Sequence, residues 1–507
     1  MDRTLFPLLP GTPDDDNRDY LPERIYHSDI VVNENGNNSQ PYPERLLEFH
    51  GIVTEDGEED TWFVYVPTTY DSSRKTPLVV SLHGGLMTGW GQCIYTSWTM
   101  MAERDGFIVL FPNAHENRVW CVQWGKWETI PSPDPTGGDF ACTVSGEDLT
   151  TNHDAQMIIA LIRKMEREYN IDEGRIFMQG MSMGNMMTSL FARNYAYMLA
   201  GAAGSACATF PNLLFDETGR IRNKGGHTTI WQSRPENNDV PDDVPEQKNV
   251  NRKNRLYWMR INECDPLPEI SIVGENNFAF YKGKKADLVY LDIKNRDHGQ
   301  SLDDASLVWD YLFSGVRREP NGTIVYSDPV CPRKGDASAF AVIPGNRNAW
   351  FGNRVHRMNA EPVRWQKLKY HGLNGGTKVR GEYTCVPLSF LAEVTGASFE
   401  RTEDGAACVL TLTDGRVLQF ARGSIACVID GHVRAMYCEA LHREGELLVS
   451  AEWFCRYLLN WTASECEGVL YAADHFSCLS LYMADLIRDI LEEKPVPENY
   501  EAMLPQG

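Results

Sequence analysis

The sequence lacks any long uninterrupted apolar stretch. Its least polar run, residues 198–210, has about a dozen mostly small residues, whereas a helix that crosses a bilayer needs about 20. The N-terminus, MDRTLFPLLPGTPDDDNRDY, interrupts a short apolar patch with prolines and then aspartates, unlike a secretory signal. We therefore expect no membrane span and a cytoplasmic location. A chain from which a leader had been removed would look the same, and it would be secreted.

The sequence also lacks an excess of positive charge. Its 48 lysine and arginine residues face 70 aspartate and glutamate residues, which gives a formal net charge of −22. Such a chain is repelled overall by nucleic acids and anionic membranes. The balance predicts no nucleic-acid partner.

Paired cysteine motifs are absent as well. The 13 cysteines include no C-x-x-C pair, which argues against a zinc ribbon or a thioredoxin-type site. An odd number of cysteines is typical of free thiols in a reducing compartment. We predict neither a metal nor a cofactor.

What is present is enough chain for more than one core, since 507 residues exceed the usual size of a single domain. Composition and patterning divide it into an N-terminal arm (1–45), a large unit (46–316), a Pro/Gly-rich charged linker (317–336) and a C-terminal unit (337–507).

Strands and helices alternate through the large unit, which predicts a mainly parallel sheet covered by helices on both faces. The predicted strands are a hairpin at 46–54 and 61–66, and then 77–82, 107–111, 176–178, 199–204, 228–232 and 287–293. The predicted helices are 97–105, 154–169, 186–191, 250–261 and 303–313. The run at 77–82 is apolar throughout, as in a strand buried on both faces.

The C-terminal unit contains an approximate internal repeat instead of this alternation. Each copy has the order strand, turn, strand, short helix, strand. The first copy covers 339–342, 352–353, 386–393 and 407–410, and the second covers 417–420, 430–431, 449–456 and 468–471. The pattern predicts a smaller α+β domain, closed by a helix within 475–493.

The chemically informative stretch surrounds Ser182. Residues 180–184, Gly-Met-Ser-Met-Gly, fit G-x-S-x-G between a short strand and a helical run. In this context the glycines relieve crowding at a sharp turn that exposes the serine hydroxyl. The pattern predicts that Ser182 is a nucleophile.

A serine nucleophile needs a base within hydrogen-bond reach and an acid to orient that base. His298 follows the last strand of the unit and is the base we predict; His227 and His153 are weaker alternatives. The acid should follow the strand at 228–232, where Glu236 and Asp239 both remain candidates.

The oxyanion hole needs two backbone N–H groups. One should come from Met183, directly after the nucleophile. The second should come from the loop His83-Gly84-Gly85-Leu86 after the first buried strand, and we choose Gly85 because the loop has little side-chain bulk.

Residues 8–315 resemble the polyhydroxybutyrate depolymerase and feruloyl esterase group of α/β-hydrolases. The resemblance rests on PLVVSLHGG (77–85), on YNIDEGRIFMQGMSMGNMM (169–187) and on Asp297-His298-Gly299. It implies hydrolysis of small-molecule or polymer-borne carboxylic esters, with Ser182 and His298 as catalytic residues. The sequence departs from the group at the acid, where Pro235-Glu236-Asn237-Asn238 replaces the usual Gly-x-x-Asp turn.

Residues 337–475 resemble the copper amine oxidase N-terminal-like domain, which often occurs on bacterial surface proteins. The likeness rests on VPLSFLAEVTGA (386–397). It implies a binding or packing module, without copper, through which like chains could assemble. The alternative to an esterase is a non-catalytic binding or adhesion protein on a hydrolase scaffold.

Overall fold

The computed structural model describes residues 42–123, 129–130, 140–237, 244–299, 301–371 and 376–493, together with Glu23. Most of the predicted N-terminal arm, 1–45, lies outside the described residues. The helices are α1 (Gly89–Tyr95), α2 (Trp98–Asp105), α3 (His153–Glu168), α4 (Met183–Tyr195), α5 (Val244–Asn262), α6 (Asp304–Tyr311), α7 (Leu388–Thr395), α8 (Ala451–Trp453) and α9 (Leu481–Leu491). Short 3₁₀ turns cover Leu149–Thr151, Ala196–Met198, Pro211–Leu213 and Phe313–Gly315.

The strands fall into two sets along the chain. The first set is β1 (Leu46–Ile52), β2 (Glu59–Tyr65), β3 (Thr76–Leu82), β4 (Ile108–Pro112), β5 (Thr129–Ile130), β6 (Phe140–Ala141), β7 (Ile171–Met181), β8 (Gly201–Ser205), β9 (Thr229–Asn237), β10 (Glu269–Val273), β11 (Asn276–Tyr281) and β12 (Leu288–Asp297). The second set is β13 (Val316–Arg318), β14 (Ile324–Tyr326), β15 (Ala339–Val342), β16 (Asn348–Phe351), β17 (Arg354–Arg357), β18 (Val363–His371), β19 (Gly376–Pro387), β20 (Ser398–Arg401), β21 (Ala407–Thr411), β22 (Val417–Ala421), β23 (Ala426–Ile429), β24 (His432–Ala435), β25 (Leu441–Arg443), β26 (Glu446–Ser450), β27 (Thr462–Cys466) and β28 (Val469–Ala473).

The first set forms a ten-stranded sheet in the order β1-β2-β4-β3-β7-β8-β9-β12-β11-β10. The inner strands from β4 to β12 run parallel, and antiparallel strands flank them on both sides. Every residue of β3 is buried. Leu78 and Val80 pack into one hydrophobic cluster and Val79 into another, so both faces are covered. The large unit is thus a mixed sheet covered on both faces, as predicted for an α/β-hydrolase fold, and residues 46–316 are called the hydrolase unit below.

Several element boundaries differ from the sequence prediction. Strand β9 was expected to end at Gln232 but continues to Asn237, so Glu236 lies in the strand rather than in the loop after it. Helix α1 was not predicted, because Gly89 and Gly91 weaken its helical signal. The Thr88 side chain compensates by accepting a hydrogen bond from the Gly91 N–H at 3.1 Å.

The predicted linker, 317–336, contains the hairpin β13–β14, which packs on the hydrolase unit. Arg318 is buried and its Nε donates to the Leu199 carbonyl at 2.6 Å. The Tyr326 hydroxyl accepts from the Asp287 N–H at 2.6 Å. Among the described residues, no helix is long and apolar enough to cross a membrane.

The C-terminal unit is built from three antiparallel sheets. Their strand orders are β17-β16-β15-β28-β27, β18-β19-β26-β25 and β20-β21-β22-β23-β24. Helix α7 follows β19, and α8 follows β26 and continues as a π-helical turn over Phe454–Leu459. These elements share a core that includes Phe340, Leu391 and Trp453.

Helix α9 joins the C-terminal unit to the hydrolase unit. Asp489 accepts from Arg252 Nε at 2.8 Å and from Arg255 Nη2 at 3.1 Å. The Arg234 guanidinium lies 3.6 Å from the centroid of the Tyr482 ring. One hydrophobic cluster also runs through both units. The hydrolase strands and α9 are therefore parts of one packed body.

Candidate active site

Ser182 occupies a strained turn between β7 and α4. Its φ of 53° and ψ of −114° are rarely adopted by a residue with a side chain. A Cβ on Gly180 would overlap the Gly184 carbonyl, and a Cβ on Gly184 would overlap the carbonyls of Leu82 and His83. Both glycines of the motif are therefore required by close backbone approach. The turn leaves Ser182 half-buried at the carboxyl end of the sheet.

A buried polar network supports this turn from below. The Ser182 N–H donates to the Ser205 carbonyl at 3.0 Å. The hydroxyls of Ser205 and Ser233 both donate to the carboxylate of Asp304, at 2.6 and 2.5 Å. Asp304, the first residue of α6, thus ties β8 to β9. No sequence signal marks this role, because Asp304 looks like an ordinary acidic residue in the first turn of a helix.

His298 meets Ser182 at the same edge of the sheet. Strand β12 ends at Asp297, and the Nε2 atom of His298 lies 3.0 Å from the Ser182 Oγ. A neutral imidazole protonated on Nδ1 accepts the serine proton at this Nε2. The alternative bases lie elsewhere. His153 contacts Asp56 and Asp60, and the His227 carbonyl accepts a hydrogen bond from the Arg318 side chain.

The two acid candidates have different surroundings. Glu236 accepts from Lys294 Nζ at 3.3 Å, from the Asn295 N–H at 3.2 Å and from the Leu481 N–H, at the start of α9, at 2.7 Å. Its side chain is only 12% exposed. Glu236 therefore joins the hydrolase strands to α9.

Asp239, the other candidate, lies outside the described residues. The strand register nevertheless shows where its loop begins. Asn237, the last residue of β9, pairs with Asp297 across the parallel ladder. The chain that leads to Asp239 therefore leaves the sheet beside the residue that precedes His298.

The loop after β3 is held in place by the buried ring of His83. Its Nε2 accepts from the Ala114 N–H at 2.9 Å, so the proton is on Nδ1, which donates to the Gly84 carbonyl at 2.6 Å. Burial lowers the pKa of His83 to about 4, which keeps the ring neutral. Because a trans peptide directs its N–H opposite to its carbonyl, the Gly85 N–H points away from the His83 ring.

Gly85 lies beside the start of α4. A Cβ at Gly85 would overlap the side chain of Met183, so the structure brings these two predicted residues together. Met183 is the first residue of α4, and the first N–H groups of a helix have no partner within the helix. Gly85 thus lies beside the residue that follows Ser182, and the positive end of the helix dipole lies at the Met183 N–H.

Tryptophans near the site serve the core. Trp90, Trp98 and Trp120 are buried, and the Trp120 Nε1 donates to the His83 carbonyl at 2.8 Å. Trp124 and Trp127 lie outside the described residues. Trp90, Trp98 and Trp120 therefore belong to the hydrophobic core of the unit.

Comparison with known proteins gives a family match in the hydrolase unit. A family described as Esterase PHB depolymerase matches residues 61–213. This range contains Gly85, Ser182 and Met183 and ends before the acid candidates and His298.

Curated relatives also match part of the chain. The bifunctional acetylxylan esterase/xylanase XynS20E of Neocallimastix patriciarum is 24% identical over 277 residues, which are 51% of this chain and 34% of the relative. Acetylxylan esterase A of Aspergillus oryzae is 28% identical over 167 residues, 31% of this chain and 46% of the relative. Feruloyl esterase B of Thermothelomyces thermophilus is 29% identical over 164 residues, 31% of this chain and 48% of the relative. The chain thus spans a third to about half the length of these relatives.

Among solved structures, an acetyl xylan esterase from Aspergillus awamori is similar, with a TM-score of 0.37 and 17% identity over 52% of this chain and 97% of that chain. A ferulic acid esterase from Anaeromyces mucronatus has a TM-score of 0.32 and 14% identity over 55% of this chain and 95% of that chain.

Proposed function

We propose that the chain is a serine carboxylic-ester hydrolase that works through Ser182, His298 and Asp239. The observation that carries the proposal is the 3.0 Å contact between the Ser182 Oγ and the His298 Nε2 at a strained turn between a strand and a helix. A serine hydroxyl becomes a competent nucleophile when such a base accepts its proton.

The proposed reaction has two stages. The Ser182 Oγ attacks the ester carbonyl carbon while its proton moves to the His298 Nε2, and the N–H groups of Gly85 and Met183 stabilise the oxyanion. Collapse of this intermediate expels the alcohol, which takes the proton from His298, and leaves an acyl-enzyme. A water molecule, deprotonated by His298, then attacks the acyl carbonyl carbon. The bond to the Ser182 Oγ breaks, the acid leaves, and Oγ takes the proton back from His298.

Asp239 is the proposed acid because Glu236 is already engaged by Lys294, Asn295 and Leu481. The pairing of Asn237 with Asp297 supports this choice, since Asp239 is two residues past the point where β9 adjoins the approach to His298. A carboxylate at the His298 Nδ1 would fix the tautomer that leaves Nε2 free to accept a proton.

The proposed substrates follow the names of the relatives, which include acetylxylan esterases and feruloyl esterases, and of the matched family. Acetyl, feruloyl or hydroxyalkanoate esters, free or borne on a polymer, are the classes to test. A panel of p-nitrophenyl acetate, methyl ferulate and 3-hydroxybutyrate oligomers would rank them by kcat/KM.

The His298→Ala variant tests the catalytic assignment, with His227→Ala as its matched control. We expect His298→Ala to lose at least about 10³-fold in kcat on p-nitrophenyl acetate, while His227→Ala stays near wild type. Loss of activity in His227→Ala and not in His298→Ala would show that His298 is not the base. Absence of turnover by the wild-type chain on the whole panel would instead favour a binding protein.

We also propose that the C-terminal unit, 337–507, is a duplicated module of the copper amine oxidase N-terminal-like kind, which binds or assembles rather than catalyses. The strand pairing supports a duplication. The first strand of copy one, β15, pairs with the last strand of copy two, β28, and β22 pairs with β21 in the equivalent way. Each pair continues into a hairpin, β16–β17 or β23–β24.

A further inference from the structure

A second group of ionisable side chains lies at the carboxyl edge of the same sheet. Asp60 belongs to β2, His115 to the loop after β4, and His153 is the first residue of α3. One ligand atom from each of the three lies within 4.8 Å of those of the other two. We propose that Asp60, His115 and His153 bind a divalent transition-metal ion of the Zn²⁺ type.

The contacts of His153 require a proton or a cation between its ring and the Asp60 carboxylate. His153 Nδ1 lies 2.6 Å from Asp56 Oδ2, so this nitrogen carries a proton and donates it. The other nitrogen of the ring, Nε2, faces Asp60 Oδ1 at 2.9 Å. In a neutral imidazole that nitrogen has only a lone pair, which repels a carboxylate oxygen. Either a second proton or a metal ion must lie between them.

Asp60 provides an independent observation. Its side chain is 0% exposed, and its Oδ2 atom is buried without a hydrogen-bond partner. An ionised oxygen without a partner is costly to bury, because it loses its hydration and gains nothing in return. A cation bound by this carboxylate would remove that cost.

The geometry suits a small metal ion. His115 Nδ1 and His153 Nε2 lie 3.1 and 2.9 Å from Asp60 Oδ1. Ligands about 2.0–2.1 Å from a tetrahedral zinc are separated by about 3.3 Å, so these two distances need to lengthen by only a few tenths of an ångström. Asp56, on the Nδ1 of His153, is the outer carboxylate that orients a metal-bound imidazole.

The proposed ion would stabilise the loop that carries His115. This loop in turn supports residues 83–86, the segment that we predict to contribute to the oxyanion hole. The chain on either side of His115 donates the Ala114 N–H to His83 and accepts, at the Arg118 carbonyl, from the Leu86 N–H at 2.9 Å. A bond from the ion to His115 would hold this loop against β2 and α3. The role we assign is structural, and it does not depend on the proposed esterase reaction.

The test uses the full chain after removal of metals with a chelator. Zinc chloride is then added at micromolar concentration, and bound zinc per chain is measured after dialysis. Because the 13 free cysteines can also hold zinc, the informative quantity is the difference between variants. We expect Asp60→Asn and His153→Gln each to bind about one zinc fewer than wild type. The matched control is His50→Gln, on the neighbouring strand, which should keep the wild-type number.

Thermal unfolding and cobalt substitution give two further readouts. Zinc should raise the melting temperature of the wild type and of His50→Gln by about 2 °C or more, and leave Asp60→Asn unchanged. Cobalt bound to the wild-type chain should show the visible absorption bands of nitrogen and oxygen ligands. This measurement uses only the wild-type chain, so it does not depend on whether a variant folds. Equal zinc numbers in all four proteins, or cobalt bands of thiolate ligands alone, would overturn the proposal.

Discussion

Two groups of side chains that contain histidine lie at one edge of the hydrolase sheet, and they are assembled differently. The Ser182–His298 pair stands on a turn with φ of 53°, and both side chains are half-buried. The Asp60–His115–His153 cluster instead surrounds a carboxylate that is 0% exposed. The first arrangement leaves the proposed nucleophile partly exposed to solvent, whereas the second buries a carboxylate away from solvent. Histidine therefore has two different proposed roles at this edge, in catalysis beside Ser182 and in binding a structural ion beside Asp60.

His83 links the two groups. Its Nδ1–H donates to the Gly84 carbonyl in the proposed oxyanion segment, residues 83–86, and its Nε2 accepts from the N–H of Ala114, the neighbour of His115. The ring also packs against Trp120, with centroids 4.8 Å apart. Changes in the Asp60 cluster should thus reach the oxyanion segment through one buried ring.

The largest expected effect separates chemistry from stability. Ser182→Ala should lose about 10³-fold or more in kcat on a small p-nitrophenyl ester, because it removes the nucleophile. Its melting temperature should stay near that of the wild type, since the Ser182 hydroxyl supports no part of the core. A variant that kept its rate would place the chemistry at another residue.

The next largest effect on kcat is expected at the two candidates for the triad acid, Asp239 and Glu236. Asp239→Asn should lower kcat by about 10²–10⁴-fold, because the amide no longer fixes the imidazole tautomer. Glu236→Gln should change kcat by less than about threefold. It should instead lower stability by about 1–2 kcal/mol, since Lys294 loses its charged partner. Urea denaturation and steady-state kinetics on both variants distinguish the roles, and a reversed pattern would make Glu236 the acid.

His83 gives a smaller, pH-dependent effect. Burial lowers its pKa from 6.5 to about 4, so the unfolded chain binds more protons than the folded one between these values. Stability is therefore fully present above pH 6.5 and falls as the pH drops towards 4, by about 3 kcal/mol from this residue. Urea denaturation at pH 7 and pH 4.5 tests this effect. The part of the loss of stability between these pH values that comes from His83 should be absent in His83→Gln. An unchanged pH dependence would mean that the ring is charged or exposed in the fold.

Local sequence signals predicted the architecture of the hydrolase unit well. The apolar run at 77–82 and the 3.6-residue pattern at 154–169 correspond to β3 (Thr76–Leu82) and α3 (His153–Glu168). The antiparallel pair β10–β11 was not predicted, since neither strand is separated from its neighbours by a clear apolar pattern. The sequence prediction ends β9 at Gln232, which places Glu236 in the loop as a second acid candidate beside Asp239. In the structure Glu236 lies in β9 and accepts hydrogen bonds from Lys294, Asn295 and Leu481.

The two groups of side chains also differ in how far the sequence alone could predict them. Ser182 has its own local motif, and His298 has a recognisable position after the last parallel strand. Asp60, His115 and His153 are separated by 55 and 38 residues and have no shared motif. Only the antiparallel pairing of β2 with β4, and the start of α3 beside them, brings these side chains together. Tertiary structure alone makes such a cluster visible.

The most direct test of the central claim is covalent labelling with a fluorophosphonate, followed by peptide mapping. A fluorophosphonate reacts with a serine that a neighbouring base activates. We predict one labelled serine, Ser182, in the wild-type chain, and at most slow labelling in His298→Ala. Label on another serine with Ser182 untouched, or equal labelling rates with and without His298, would contradict the account.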